Sequence, residues 1–267
     1  MPAPLRLLAI LAHPDDESLG TGGTLAHYAE QGVETYVLTA TRGQRGRFFT
    51  NEDRPSDDEV GRVREAELRA AAAELGVREV TVLDYVDGAL DDADPTEATT
   101  RIATELRRIC PQVVVTFDAY GAYGHPDHIA ISQLTGAACV LAADPLHAPE
   151  SPAHRVAKLY WMGWPRPLWE LYQSVFKRLV STVDGVERQA SPWPEWALTT
   201  RIDARRHWET VWRAIQRHET QMAIYEKLGE LTPEQHRVLW GEQRFYRVYS
   251  TVNGGRAPET DLFAGLR

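Results

Sequence analysis

Short apolar runs alternate with longer amphipathic stretches through the first half of the chain. Leu5–Leu11, Val33–Thr39, Glu79–Leu83 and Gln112–Phe117 each have the length and composition of a buried strand. Helix patterns lie between and after them. Gly20–Gln31 is stopped by Gly32, and Asp57–Leu75 is rich in Ala, Glu and Arg and ends at Gly76. Pro95–Ile109 and Asp127–Ala143 complete the set. A strand–helix unit repeated four times predicts an α/β fold: a Rossmann-like, mostly parallel sheet with helices on both faces. With a strand order of 3-2-1-4, the first and fourth strands are neighbours at the topological switch point. Ligands bind there, beyond the carboxyl ends of the strands.

The second half is less regular. Val156–Met162, Ala197–Ile202 and Phe245–Ser250 read as further strands. Asp203 reads as the N-cap of a long helix reaching Tyr225, with the apolar stripe Trp208, Val211, Trp212, Ile215 and Met222. All eight tryptophans fall between 161 and 240, placed to cover core or to wall a substrate cleft. No repeat, low-complexity tract or linker divides the chain. The expectation is one domain over 1–267, with a metal-binding core at 1–145 and a substrate-side extension at 146–267 packed on it.

Composition narrows the function classes. The 267 residues carry a net charge of −9 with both signs scattered and no long basic run, which argues against nucleic acid as a partner. No stretch approaches the roughly 20 apolar residues that span a bilayer. Leu5–Ala12 is short and lacks a small-residue cleavage site, so it does not read as a signal peptide. Cys110 and Cys139 sit outside any metal-ligand spacing and read as buried thiols, and low cysteine usage suits a reducing compartment. A cytoplasmic protein with no membrane partner is expected, and a homo-oligomer is left open.

The chemistry is concentrated at two strand ends. His13-Pro14-Asp15-Asp16-Glu17 begins where the first strand stops, although a strand exit needs only a turn residue. Tyr123-Gly124-His125-Pro126-Asp127-His128 follows the fourth strand. The predicted sheet makes these two clusters neighbours. Two histidines and a carboxylate form a zinc set with a position left for water. Pro126 suits the first turn of a helix, and the three-residue spacing of His125 and His128 lets one turn present both. Gly20-Thr21-Gly22-Gly23 resembles a dinucleotide fingerprint, but Leu25 stands in place of the last glycine, and close helix–sheet packing explains these glycines better. Arg42, Arg45 and Arg47 are placed either to meet an anionic substituent or to form a solvated loop.

The pair AHPDDE and YGHPDH resembles the LmbE/PIG-L family of zinc-dependent N-acetylglucosaminyl deacetylases, and the likeness is anchored in residues 1 to about 145. The resemblance implies His13, Asp16 and His128 as metal ligands and Asp15 as general base. It implies His125 as a support for the transition state or leaving group, Asp127 as its partner, and Tyr123 as an oxyanion donor. Arg64 and Asp87 become sugar contacts, and His218-Glu219-Thr220-Gln221 matches a later His-x-x-Gln. The cofactor implied is one Zn2+ per chain, with Fe2+ suiting the same ligands. A bound metal can lower the pKa of water to about 7, which supplies the nucleophile that an amide demands. The expected reaction is hydrolysis of the N-acetyl amide of an N-acetylglucosamine-containing small molecule, releasing acetate and a free amine. Alternatives are an amidase or deacylase of a larger thiol-sugar conjugate, glycopeptide or lipid-linked sugar. From a different class, the alternative is a non-catalytic Rossmann-like binding domain.

Overall fold

In a computed structural model that describes residues 4–148, 150–176, 180–183 and 185–267, the apolar runs form the strands of one large sheet. The first half contains β1 (Arg6–Leu11), α1 (Asp16–Glu30), β2 (Glu34–Thr41), α2 (Asp57–Glu74), β3 (Glu79–Tyr85), α3 (Pro95–Ile109), β4 (Val113–Thr116), a distorted helical turn α4 (Gly121–Gly124) and α5 (Pro126–Ala143). The second half adds β5 (Lys158–Met162), α6 (Arg166–Phe176), the strand pair β6 (Val180–Val183) and β7 (Val186–Gln189), β8 (Thr200–Asp203), α7 (Trp208–Gln216), α8 (Met222–Tyr225), α9 (Pro233–Trp240) and β9 (Glu242–Ser250).

The sheet order is β3-β2-β1-β4-β5-β9-β8. Strands β1 to β5 run parallel, and β9 is antiparallel to both β5 and β8. The 3-2-1-4 core is therefore present, and strands from the second half extend the same sheet. β1 and β4 are covered on both faces, which is why they carry almost no polar residues. The chain builds outward from β1 to β3 and then returns to β4, so a crevice opens beyond the ends of β1 and β4. The β6–β7 pair stands apart from the large sheet and packs on α4.

β3 is one edge of the sheet. A register shift interrupts its pairing with β2, and Asp84 there adopts a positive φ of 65°. Arg69 of α2 donates to the Val80 carbonyl at 3.1 Å, and Arg101 of α3 donates to that of Leu83.

Two expectations about helices are corrected. α1 begins at Asp16, not Gly20, because Asp16 and Glu17 suit the positive end of a helix dipole. The long helix from Asp203 to Tyr225 does not exist. Asp203 closes β8, and the helical run breaks after Gln216, where His218 (φ −83°, ψ 61°) turns inward. α6, β6, β7 and α9 were not anticipated. No helix among the described residues is long and apolar enough to cross a membrane.

Candidate active site

The HPDDE segment bridges β1 and the first turn of α1, so its side chains are fixed by the start of a helix rather than left in a loop. Asp15 carries the strain of that junction, with a φ of 109° that non-glycine residues rarely adopt. The Asp16 carboxylate folds back and accepts from the backbone N–H groups of Ala12 (3.2 Å) and His13 (2.8 Å). On the other side of the crevice, α5 starts at Pro126 and is capped by His125, whose Nδ1 accepts from the Asp127 N–H at 3.2 Å. Two helix N-termini thus face one cleft.

Three side chains converge on its floor, with Asp16 turning one carboxylate oxygen to each histidine. His13 Nδ1 lies 3.1 Å from His128 Nε2. It lies 3.7 Å from Asp16 Oδ2, and His128 Nε2 lies 3.6 Å from Asp16 Oδ1. Tetrahedral zinc ligands at ordinary bond lengths are about 3.4 Å apart. Two other donor combinations, His13, His125 and His128, and His13, Asp87 and Asp127, bring one atom from each residue within 4.8 Å of one another. Hydrogen bonding separates these sets. His13 Nε2 meets Asp127 Oδ2 at 2.9 Å and Asp87 Oδ1 at 3.1 Å, so that nitrogen keeps its proton and Nδ1 is the ring atom turned to the cleft. His128 Nδ1 donates to the Gly121 carbonyl at 3.3 Å, which turns its Nε2 lone pair inward. The lone pair of His125 Nδ1 is already used by the helix cap, so its Nε2 bears hydrogen. The groups left facing inward are His13 Nδ1, His128 Nε2 and Asp16.

The electrostatics follow the same contacts. Burial alone would lower His13, but its hydrogen bonds to Asp127 and Asp87 and the nearby Asp16 charge raise it to about 10, so a cation that binds at Nδ1 has to displace a proton there. Burial and the nearby His13 press His125 down to about 4, and they hold His128 well below its ordinary value. Burial pushes Asp16 up against the pull of His13. Burial pushes Asp87 up, but its bond to His13, the His13 and Arg64 charges and the Arg45 N–H together bring it down to about 2. Asp127 is lowered in the same way, and the N–H groups of Gly88 and Leu90 donate to it as well.

The geometry gives three of these side chains partners within the protein. Asp127 reaches His125 only through its backbone N–H, while its carboxylate holds His13. Asp87, expected on the sugar, braces the same imidazole and accepts from the Arg45 N–H at 3.1 Å. Arg64 lies at the site, but its buried guanidinium donates to the carbonyls of Gly43 (2.9 Å) and Pro14 (2.6 Å) and to Asp15 Oδ2 (3.2 Å). Tyr123 lines the cleft, its ring edge-on to His128 at 5.3 Å between centroids, on a turn that Ala122 enters at a φ of 61°. Burial keeps its phenol raised and neutral.

Two residues at the site were not anticipated. Glu17 is fully buried and pairs with His218 at 2.8 Å, and its other oxygen accepts from the Asp15 N–H at 2.9 Å. Its place in the HPDDE motif was a usable signal. Tyr225 donates to Asp15 Oδ2 at 2.7 Å, and nothing in its sequence surroundings marks it. The cleft encloses about 390 Å³, and Phe117, Trp164, Tyr172 and Tyr225 supply much of its apolar wall. Of the tryptophans, Trp164 walls this cleft, Trp240 is core and Trp196 is exposed.

A family model described as PIG-L, GlcNAc-PI de-N-acetylase, matches residues 8–139. The 1D-myo-inositol 2-acetamido-2-deoxy-alpha-D-glucopyranoside deacetylase of Thermobispora bispora is 34% identical, covering 98% of this chain and 98% of its own length. Two solved structures share the fold. The N,N'-diacetylchitobiose deacetylase from Pyrococcus horikoshii has a TM-score of 0.68 at 21% identity, covering 91% of this chain and 83% of that one. The 4-carboxy-2-hydroxymuconate hydratase from Pseudomonas putida KT2440 has a TM-score of 0.69 at 21% identity, covering 95% and 100%. One fold therefore carries both a deacetylase and a hydratase, and the reaction has to be argued from the site.

Proposed function

Because the chain belongs to the PIG-L (LmbE-like) family, we propose that it hydrolyses the N-acetyl amide of an N-acetylglucosamine-containing small molecule, releasing acetate and a free amine. The observation that carries this reading is the trio of inward groups, His13 Nδ1, Asp16 and His128 Nε2, beside the carboxylate of Asp15. The donor types and spacing fit one Zn2+ per chain, and Fe2+ suits the same ligands. When bound, the cation supplies a more acidic water and polarises the acetyl carbonyl.

The chain's own groups do the rest. Asp15 takes the proton from the attacking water. His125, neutral and with its N–H on Nε2, donates to the oxygen where charge develops, and the Tyr123 hydroxyl does so from the α4 turn. Protonated Asp15, or His125, then delivers a proton to the departing nitrogen. The apolar wall of Trp164 and Tyr172 offers a surface on which a sugar ring can stack. With its two cysteines free, the protein suits a reducing, cytoplasmic setting.

The test joins metal content to product release. The wild-type protein is expected to hold about one metal per chain and to release acetate from N-acetylglucosaminyl-inositol. His128→Ala should lose the metal and the activity together. A His128→Ala protein with full metal occupancy would overturn the ligand set. Metal binding without acetate release from any N-acetylglucosamine conjugate would overturn the reaction.

A further inference from the structure

The general base stands next to a proposed metal ligand in sequence, which creates a problem of control. A carboxylate beside a divalent cation is drawn to coordinate it, and a coordinated carboxylate is a poor base. Among the described residues, Asp15 Oδ2 accepts two hydrogen bonds, from the Tyr225 hydroxyl at 2.7 Å and from the Arg64 guanidinium at 3.2 Å, and no hydrogen bond reaches Oδ1. The shorter bond comes from Tyr225, which lies outside residues 8–139 and is delivered by the short helix α8 of the second half.

We propose that Tyr225 is the positioning residue of the reaction: by holding Oδ2 it keeps Asp15 off the metal and turns Oδ1 toward the attacking water. This role rests on the deacetylase reading above. The phenol suits it. Tyr225 is buried, and burial together with the adjacent Asp15 charge raises its pKa well above the ordinary value, so it stays a neutral donor throughout the working range. Arg64 is committed to the Gly43 and Pro14 carbonyls as well and cannot shift to hold the carboxylate alone. The same segment fixes the backbone of the base, because His218 holds Glu17, and Glu17 accepts from the strained Asp15 N–H. Residues 218–225 thus clamp Asp15 at both main chain and side chain.

Tyr225→Phe keeps the ring and removes only the donor. Losing a hydrogen bond to a charged group is expected to lower kcat about ten- to hundredfold. KM, the melting temperature and metal content should stay at wild-type values. A double-mutant cycle separates positioning from a structural effect: in the Asp15→Ala background, Tyr225→Phe should cost nothing further. A wild-type kcat in Tyr225→Phe, a rise confined to KM, or the same loss in the Asp15→Ala background would overturn the role. Wild-type turnover of N-acetylglucosaminyl-inositol is the control. Its absence would overturn the functional reading and this role with it, whereas an active wild type with an unaffected Tyr225→Phe overturns the role alone.

Discussion

Asp127 is fully buried, yet nothing about it is left unsatisfied. One oxygen accepts from the Leu90 N–H at 3.0 Å, and the other accepts from the Gly88 N–H and His13 Nε2. Three donors around one carboxylate explain why it stays ionised in a dry site. Its effect is felt one atom further on, because the bond to Nε2 fixes the His13 tautomer and aims Nδ1 into the cleft. Asp127→Asn preserves shape but presents an amide N–H to groups that already donate. Metal affinity is expected to fall about 10- to 100-fold, as for other groups that orient a ligand from behind. Competition with a chelator measures it, and an unchanged affinity would mean that Asp87 alone orients the ring.

At the scale of elements, the buried parallel strands were legible because double-sided burial leaves little room for polar residues, as in β1 and β4. α3 was legible because its helical pattern starts at a proline, which occupies the first position behind the Asp94 cap. The long helix expected after Asp203 fails for a physical reason. Its stripe from Trp208 to Met222 reports which side faces the core, but not that the chain is continuous, and His218 leaves the helix to reach Glu17. The β6–β7 pair was invisible because its residues are mostly partly or fully exposed and carry no alternating pattern. The two motifs gave the cleft floor, whereas Tyr225 required the fold to bring it there. The His218–Glu17 pair has a pH signature. Contacts with Glu17 raise His218 against burial, so its contribution is full below the ordinary 6.5 and is lost as pH rises through the raised value. Contacts with His218 lower Glu17 against burial, so its contribution is present above the ordinary 4.5 and is lost as pH falls through the lowered value. The unfolding free energy of wild type relative to a Glu17→Gln, His218→Gln double variant should therefore be greatest between those two values and shrink toward alkaline pH. Urea titrations at several pH values test this, and a difference that grows above neutrality would refute a charged pair.

At the scale of the whole molecule, the cleft draws on both halves of the chain. The floor comes from the ends of β1 and β4, while Trp164, Tyr172 and Tyr225 come from the second half. The sheet itself ends at β3 on one side, and an exposed edge strand is an invitation for another copy to add its own strand. Here that invitation is withdrawn. The bulge at Asp84 bends the edge, and the arginines of α2 and α3 lie against it, bonded to the carbonyls of Val80 and Leu83. The double variant Arg69→Ala, Arg101→Ala frees those acceptors without touching the cleft. It should keep its turnover per chain when dilute, yet scatter light and sediment as larger species when concentrated or warmed. A variant that stays as dispersed as the wild type would show that the bulge alone suffices. An edge bent and lined in this way is a poor template for a further strand, which keeps the mouth of the cleft from being drawn into a growing sheet.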